Sequence, residues 1–584
     1  MIVPVEVVLA RTVDEVDSWL ADAAGSPFLA VDTETTGWDP WTDRIRLVQV
    51  AADPSRPVLV LDPTAIDPAA LARPLADDGV LKVFHHAAFD LRMLWQAGLE
   101  VQRVADTMLA QQLLDCAAPE PVGSSLEAIA RHRLDLELDK SVRETFVLGP
   151  DQDGPLTDDQ ITYAATDARA TWDCFAQQVG ELRETGMVEV ARCEFAAIAP
   201  LAAMQLRGLG VDPDAWHAVL RRTEDALDDL ESAAQAALVT DTSPRTLFGP
   251  EPVNLDSPEQ VIAALARVGV AVDSTRETVL ADHADHPAVA ALSAYRQAAK
   301  IVHGWGGDWV ERARHPRTGR VHASVRQIVG TGRIAHSDPN LTQIPADPAY
   351  RRCFTADRGN ALVVADYSQQ ELRVLAAVSG DAALTAVFAE GADLHARTAS
   401  TVFGVPADAV TPAQRKAAKA LNFGLMYGMG APGFARATGM SLPDARRAMD
   451  AYFAGFPQVA SWLRRTESQA RRTHRVATPL GRVRYLATAG TLARNAPIQG
   501  AGADMTKLAV AAVDRAIAGR FGGQRSAPVG LVLTVHDELV IEVPADDADE
   551  AADLLRRCMV DAGQRVLGEV PAEVDVRIGR SWAG

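Results

Sequence analysis

The sequence predicts a multidomain protein, α/β over roughly its first 190 residues and α+β over the rest. Three observations predict it. At 584 residues the chain is too long to bury a single core. Short strand-like runs alternate with helical patterns early, give way to a mostly helical stretch, and return later. Two of the late runs end on carboxylates: Leu362-Val363-Val364-Ala365 leads into Asp366, and Leu531-Val532-Leu533-Thr534-Val535 leads into His536-Asp537.

In chain order, Phe28-Leu29-Ala30-Val31, 45–50 and Val58-Leu59-Val60-Leu61 read as strands with turn residues between them. Helical patterns follow over 89–97, 107–114 and 158–179. A mostly helical stretch runs from about 193 to 309, broken at Gly208-Leu209-Gly210 and Ser243-Pro244. Strand signals resume at 321–329, before Asp366, and on both sides of His536-Asp537, with a long helical insertion before the last pair.

Composition narrows the class. A hydrophobic content of 48% with 23% charged residues is ordinary for globular protein. No uninterrupted apolar run is long enough to span a bilayer, and the amino terminus lacks the basic region and cleavage site of a signal peptide. The five cysteines are scattered and never form CxxC, which argues against a disulfide framework or cysteine-rich zinc site and fits a reducing cytoplasm. A net charge of −20 argues against a nucleic-acid partner only as an average, because DNA meets the local field of one cleft. Locally the sign reverses: Arg464, Arg465, Arg471, Arg472, Arg475, Arg482 and Arg484 stand against the single acid Glu467.

The first chemical pattern is Asp32-Thr33-Glu34 after a strand. Alternation places Asp32 and Glu34 on one face, where they can share a metal ion. Phe89-Asp90 opens a helix, and Tyr163 and Asp167, four apart, lie on one side of another. Oxygen ligands at this density suit hard Mg²⁺ or Mn²⁺, and paired ions suit in-line phosphodiester hydrolysis.

The order DxE, FD, YxxxD resembles the DEDDy proofreading 3′–5′ exonucleases. The resemblance implies a ribonuclease H-like fold holding two ions. Asp32, Glu34 and Asp167 would hold the first ion, with Asp32 also reaching the second. Asp90 would hold the second through water, and Tyr163 would orient the attacking water. His86 stands where that family usually has Asn; an imidazole there either substitutes as a donor or weakens primer-strand positioning.

The second pattern joins Asp366-Tyr367-Ser368-Gln369-Gln370-Glu371, the run 415–427, and Val535-His536-Asp537-Glu538. In the middle run Arg415, Lys419, Phe423 and Tyr427 recur every four residues, each about 40° round a helix from the last, so they share one slowly turning face. Cations near the helix start suit a triphosphate, and aromatics further along suit a base and sugar. Two acids for metal and one cationic helix for phosphate are the parts of a nucleotidyl transferase.

The set resembles the three polymerase motifs of family A DNA polymerases, over nearly the whole chain from Asp32 onward. The resemblance implies a right-hand fold of palm, fingers and thumb after the exonuclease domain. The expected division is exonuclease 1–190 and polymerase 191–584, with thumb about 195–305, palm about 306–390 and 478–584, and fingers about 391–477. Asp366, Asp537 and the Tyr367 backbone carbonyl would hold two Mg²⁺ or Mn²⁺ ions, with Glu538 auxiliary. Arg415 and Lys419 would bind the dNTP phosphates, Lys419 also acting in catalysis. Phe423 would stack on the incoming nucleotide, Tyr427 would lie against the templating pair, and Tyr367 and Gln369 would complete the pocket.

Glu371 with Tyr427 resembles the gate that excludes a ribose 2′-hydroxyl. Phe423 in place of Tyr implies discrimination against dideoxynucleotides. Arg333, Asn495, Gln499 and His536 would contact primer–template DNA, with Arg333, Gln499 and His536 donating to minor-groove acceptors present in every correct pair. Gln370, Ala335-His336, Thr342-Gln343 and Thr491 depart from the family pattern. The acidic run Asp225, Asp228, Asp229 and Glu231 in the thumb predicts modest processivity. The expectation is a monomeric, cytoplasmic, nucleoid-associated enzyme of replication and repair without a 5′-nuclease domain. The rival readings are an exonuclease-deficient polymerase or a non-catalytic DNA-binding scaffold.

Overall fold

The computed structural model describes residues 5–147, 154–247, 249–522, 525 and 527–584. A six-stranded mixed sheet organises the first part. Its strands are β1 (Val7–Leu9), β2 (Leu29–Thr35), β3 (Ile45–Ala51), β4 (Val58–Leu61), β5 (Lys82–Phe84) and β6 (Val104–Asp106), in the order β1-β4-β3-β2-β5-β6. β2 lies inside the sheet, antiparallel to β3 and parallel to β5. It extends four residues past the predicted run, to Thr35, so Asp32 and Glu34 sit within the strand. Helix Asp158–Glu184 packs across β2, β3 and β4 and starts at a capping box formed by Thr157 and Gln160. That helix carries Tyr163 and Asp167 to the sheet.

Helix Val188–Arg207 serves two cores. Val190, Ala202, Ala203 and Leu206 pack with the first sheet's core, while Ala197, Leu201 and Met204 pack with the core of the second sheet. The strand expected over 321–329 is instead two short strands, Arg320–Val321 and Ser324–Arg326. They pair with different partners, Leu209–Gly210 and Ala335–Ser337, and the change of partner breaks the run. Helices Pro213–Leu238 and Pro287–Trp305 pack together, and Asp225, Asp228, Asp229 and Glu231 are exposed on the first of them.

The second sheet has four antiparallel strands, ordered Gly530–Val535, Glu538–Pro544, Asn360–Tyr367, Val574–Gly579. Alternation along them feeds two cores. Val363, Ala365, Leu531 and Ile541 face helices Gln370–Ser379, Thr491–Phe521 and Ala548–Leu567. Leu362, Val364, Val532 and Val540 face Trp216, Phe354 and Trp582. Because both faces are covered, the polar groups at the ends of the strands are where a ligand can enter. Among the described residues, no helix is long and apolar enough to cross a membrane.

Candidate active sites

The structure brings the four predicted exonuclease acids together. Asp32 and Glu34 come from β2, Asp90 from helix Ala87–Gln96, and Asp167 from helix Asp158–Glu184. Asp90 is fixed by β2 itself, accepting from the Thr33 backbone N–H at 3.1 Å and its hydroxyl at 2.6 Å. Burial, then the charges of Asp90, Glu34 and Asp167, raise the Asp32 carboxyl well above its ordinary range. Burial, then Asp167, raises Glu34 to about 8, and burial raises Asp90 to about 7. Burial raises Asp167 against the opposing pull of Lys140. Tyr163 is buried against Asp167, and burial followed by that carboxylate holds its phenol protonated.

Such a cluster cannot carry its full charge unaided. Among the described residues no three His, Cys, Asp or Glu side chains are placed closely enough to hold a metal ion. The Lys140 Nζ stands 3.3 Å from Asp167 Oδ2. The oxygen-only donor set and the buried Asp167 Oδ1, which has no hydrogen-bond partner, fit a hard divalent cation. His86, in the left-handed conformation (φ 67°), precedes the Asp90 helix and is exposed. It lines a cavity of about 320 Å³ with Gln112, Gln205 and Gln327, between the first sheet's helices and strand Ser324–Arg326.

Sequence reasoning missed Asp106. Its carboxylate accepts from the backbone N–H groups of His86, Ala87, Met108 and Leu109, so one buried side chain starts two helices. Its only local signal was its place before a helical run.

At the second site Asp366 is the next-to-last residue of strand Asn360–Tyr367, and Asp537 lies with His536 in the two-residue turn before strand Glu538–Pro544. His536 takes the positive φ of that turn, 57°. The Tyr367 N–H donates to the Asp537 carbonyl at 3.4 Å, holding the two acidic positions side by side. Burial, then Asp537 and Glu538, raises Asp366 to about 7, and burial raises Asp537. Asp366 Oδ1 is buried without a partner, which fits cation binding. Glu538 differs. Its oxygens accept from Trp582 Nε1 at 2.5 Å and Arg577 Nη2 at 2.7 Å, with Arg351 at 3.4 Å, so it is an anchored side chain already satisfied. The Tyr367 ring is buried and its hydroxyl donates to the Met559 carbonyl at 2.6 Å, leaving only the backbone to face the acids.

The cationic helix spans Pro412–Met426, started by Thr411 and Gln414 in a capping box with Pro412 in the first turn. Ala418, Leu421, Asn422 and Leu425 bury one face, while Arg415 and Lys419 are exposed and Phe423 is half-buried on the other. Tyr427 is a correction: it stands just past the helix end, as its C-cap. Gly428 follows with φ 77°, and its Cα lies so close to Thr491 that a Cβ would meet the threonine methyl at 2.1 Å. Thr491 therefore supports the turn that aims Tyr427.

The Tyr427 hydroxyl donates to Glu371 Oε2 at 2.8 Å, and Arg333 Nη2 donates to Glu371 Oε1 at 2.5 Å. Gln499 Nε2 reaches the Tyr427 hydroxyl at 3.5 Å. Arg415 is paired with Asp393, at 2.7 Å. Gln369 adopts a left-handed conformation (φ 53°) before helix Gln370–Ser379, with its Oε1 buried and unpartnered. Asn495 is half-buried and His536 is exposed. Two further departures from the family pattern, Gln370 and His336, acquire physical accounts. Gln370 Nε2 donates to the Gly502 carbonyl at 3.2 Å, tying its helix to Thr491–Phe521. His336 is buried in strand Ala335–Ser337, where burial lowers it to about 4 and keeps it neutral.

One expected DNA contact is overturned. Arg482, counted among the basic cluster, is buried and bonded to Asp504 and Glu194. Lys507 joins the network, donating to Glu194 at 2.5 Å and to the Gly332 carbonyl at 2.7 Å, so these charges hold the loop before Arg333 from within. Arg464, Arg465, Arg471, Arg472 and Arg475 remain exposed. Glu467 is bound by Arg471 and Arg494.

Comparison with known proteins finds one family model over each of the two sites. The family model for DNA polymerase family A matches residues 224–584, and that for 3′–5′ exonuclease matches residues 7–179. The chain is 32% identical to DNA polymerase I of Pseudomonas aeruginosa over 97% of its own length and 64% of that protein's. It is 31% identical to DNA polymerase I of Aquifex aeolicus, covering 95% of this chain and 96% of the relative. It therefore spans about two thirds of the Pseudomonas protein but nearly all of the Aquifex one. A solved structure titled as the POL domain of Pol1 from M. smegmatis in complex with DNA primer-template and dNTP superposes with a TM-score of 0.82 at 29% identity, covering 98% of this chain and 99% of that one.

Proposed function

The chain belongs to DNA polymerase family A and carries a 3′–5′ exonuclease domain, and from that premise we propose that it extends primed DNA with dNTPs and trims mispaired 3′ ends. The observation that carries the reading is the link between the two halves of the second site. Tyr427 at the end of the cationic helix is hydrogen-bonded to Glu371 beside Asp366, so phosphate-binding and acid-bearing elements face one pocket.

In this reading each site takes two Mg²⁺ or Mn²⁺ ions, which when bound lower the pKa of the attacking hydroxyl or water and offset charge on the phosphate. Asp366, Asp537 and the Tyr367 carbonyl hold them for synthesis; Asp32, Glu34, Asp90 and Asp167 hold them for hydrolysis. Arg415 and Lys419 neutralise the triphosphate and orient it for in-line attack. Phe423 stacks on the base, and Gln369 and the Tyr367 backbone complete the pocket. Glu371, held by Tyr427, fills the space a 2′-hydroxyl needs. Arg333, Asn495, Gln499 and His536 grip the primer-terminal pairs. In the other site Tyr163 orients the attacking water.

The proposed division places the exonuclease at 1–190 and the polymerase at 191–584, working as a monomer on primer–template DNA, in the cytoplasm at the nucleoid. The test is extension of a primed template and degradation of a mispaired primer, each with and without Mg²⁺. Absence of both activities sinks the reading. Single-encounter extension reports processivity, and tracts of hundreds of nucleotides would contradict the acidic thumb.

A further inference from the structure

A short segment outside the recognised motifs reaches into the exonuclease cluster. The 3₁₀ helix Lys140–Phe146 begins at Asp139, whose carboxylate accepts from the Ser141 N–H at 2.9 Å. It is anchored at its far end by Phe146, which is 1% exposed and packs 6.3 Å from the Tyr163 ring. This fixed base presents two cations. Lys140 Nζ lies 3.3 Å from Asp167 Oδ2 and 5.8 Å from the centre of the Tyr163 ring. The Arg143 guanidinium lies 4.7 Å from the Trp38 ring. The Lys140 side chain is 35% exposed, against 8% for Asp167, so it borders the open side of the site.

Four carboxylates repel the phosphodiester they must act on. A cation at their open edge is what an anionic strand needs to approach. We propose that Lys140 binds the scissile phosphodiester of a single-stranded 3′ end, holding a non-bridging oxygen while that oxygen gains charge. The proposal rests on the exonuclease reading given above. Once divalent cations occupy the carboxylates, the phosphodiester becomes the nearest uncompensated anion, and the flexible lysine stem can follow it. Attack of water forms one P–O bond and breaks the bond to the 3′-oxygen of the penultimate nucleotide. A nucleoside 5′-monophosphate leaves, the water's proton passes to solvent, and the departing oxygen takes one from solvent. Lys140 gives up no proton; it contributes charge at the phosphorus. The competing account is that Lys140 merely neutralises Asp167.

The experiment begins with the wild-type chain and Asp32→Ala on a single-stranded 3′ end. If the wild type does not degrade it, the exonuclease reading fails and this proposal with it. Given degradation that Asp32→Ala abolishes, Lys140→Met and Lys140→Gln are compared at saturating Mg²⁺, with melting curves to verify folding. The expected single-turnover rate falls about 100-fold in both, and Lys140→Arg recovers a tenth or more of wild type. A second readout needs no turnover: binding of a short oligothymidylate with Ca²⁺ in place of Mg²⁺, so that a divalent cation occupies the carboxylates. The slope of log Kd against log salt should fall by about 0.7 when Lys140 is removed, the loss of one single-strand phosphate contact. If saturating Mg²⁺ restores the variants to within twofold of wild type, or the salt slope is unchanged, Lys140 only neutralises Asp167 and the proposal is overturned.

Discussion

The two acidic centres solve one problem in opposite ways. The exonuclease acids converge within the fold of a single sheet and its helices, where burial raises all four and their neighbours' charges add to it at Asp32 and Glu34. The polymerase acids share that elevation, but Asp537 sits in a hairpin turn and Asp366 near the end of the neighbouring strand. The groups that would serve its substrate are occupied by one another, Arg415 by Asp393, and Glu371 by Arg333 and Tyr427. The first centre concentrates like charge, as the proposed binding of cations requires. In the proposed reaction the second exchanges protein partners for substrate.

The largest expected effects separate the centres. Asp537→Ala should reduce primer extension roughly a thousandfold or more while leaving 3′ degradation within a fewfold, and Asp32→Ala should do the reverse. Primer extension and degradation measured on one preparation check this. Loss of both activities from either variant would show that the sites are not separable.

The next effect lies wholly in the polymerase pocket. Phe423 carries no hydroxyl and half-buries its ring beside His395, with the centroids 6.1 Å apart. Phe423→Tyr should raise dideoxynucleotide incorporation relative to dNTP by roughly a hundredfold, because an added hydroxyl can replace the missing 3′-hydroxyl's hydrogen bond. Terminator incorporation unchanged in the variant would remove Phe423 from the sugar contact.

Stability tests the concentration of charge in the first centre. Glu34 titrates near 8 in the folded chain and Asp90 near 7, both above ordinary carboxylate values of about 4. The folded state holds these protons more tightly than the unfolded state. Their contribution to metal-free stability is thus fully present below about pH 4 and is lost as pH rises through 7 to 8. Mg²⁺ binds the ionised carboxylates, so it should raise the melting temperature by a few degrees at pH 8 and by much less at pH 5. Glu34→Gln should raise the metal-free melting temperature at pH 8. Equal Mg²⁺ increments at both pH values would count against cation binding by these acids.

What was legible in the sequence follows from the range of each interaction. Asp32 with Glu34, Tyr163 with Asp167, and Arg415 with Lys419 are set by strand alternation or helical spacing, so local pattern was enough. Arg482 was misread because its partner Glu194 lies 288 residues away, and no local charge count shows an arginine turning inward. Thr491 had no visible role until Gly428, far back in the chain, was packed against it. Gln370 is similar, its partner being the Gly502 carbonyl. Asp106 shows the reverse case: its two helix starts are both backbone contacts, which leave almost no residue-type signature.

The smallest expected effect probes partner exchange at the second centre. Arg415 and Asp393 are half-exposed, with side-chain exposures of 50% and 43%, so solvent screens most of their attraction. Such a pair is worth about 0.2–1 kcal/mol, which converts to a factor of roughly 1.4 to 5 in affinity. If Arg415 must leave Asp393 to meet a triphosphate, Asp393→Ala removes that cost and should lower KM for dNTP by up to about fivefold, with kcat little changed. The exonuclease reaction provides the contrast, since its rate should not respond to Asp393 at all. A rise in KM would mean that Asp393 holds Arg415 in its binding position, and the polymerase centre would then be as pre-assembled as the nuclease one.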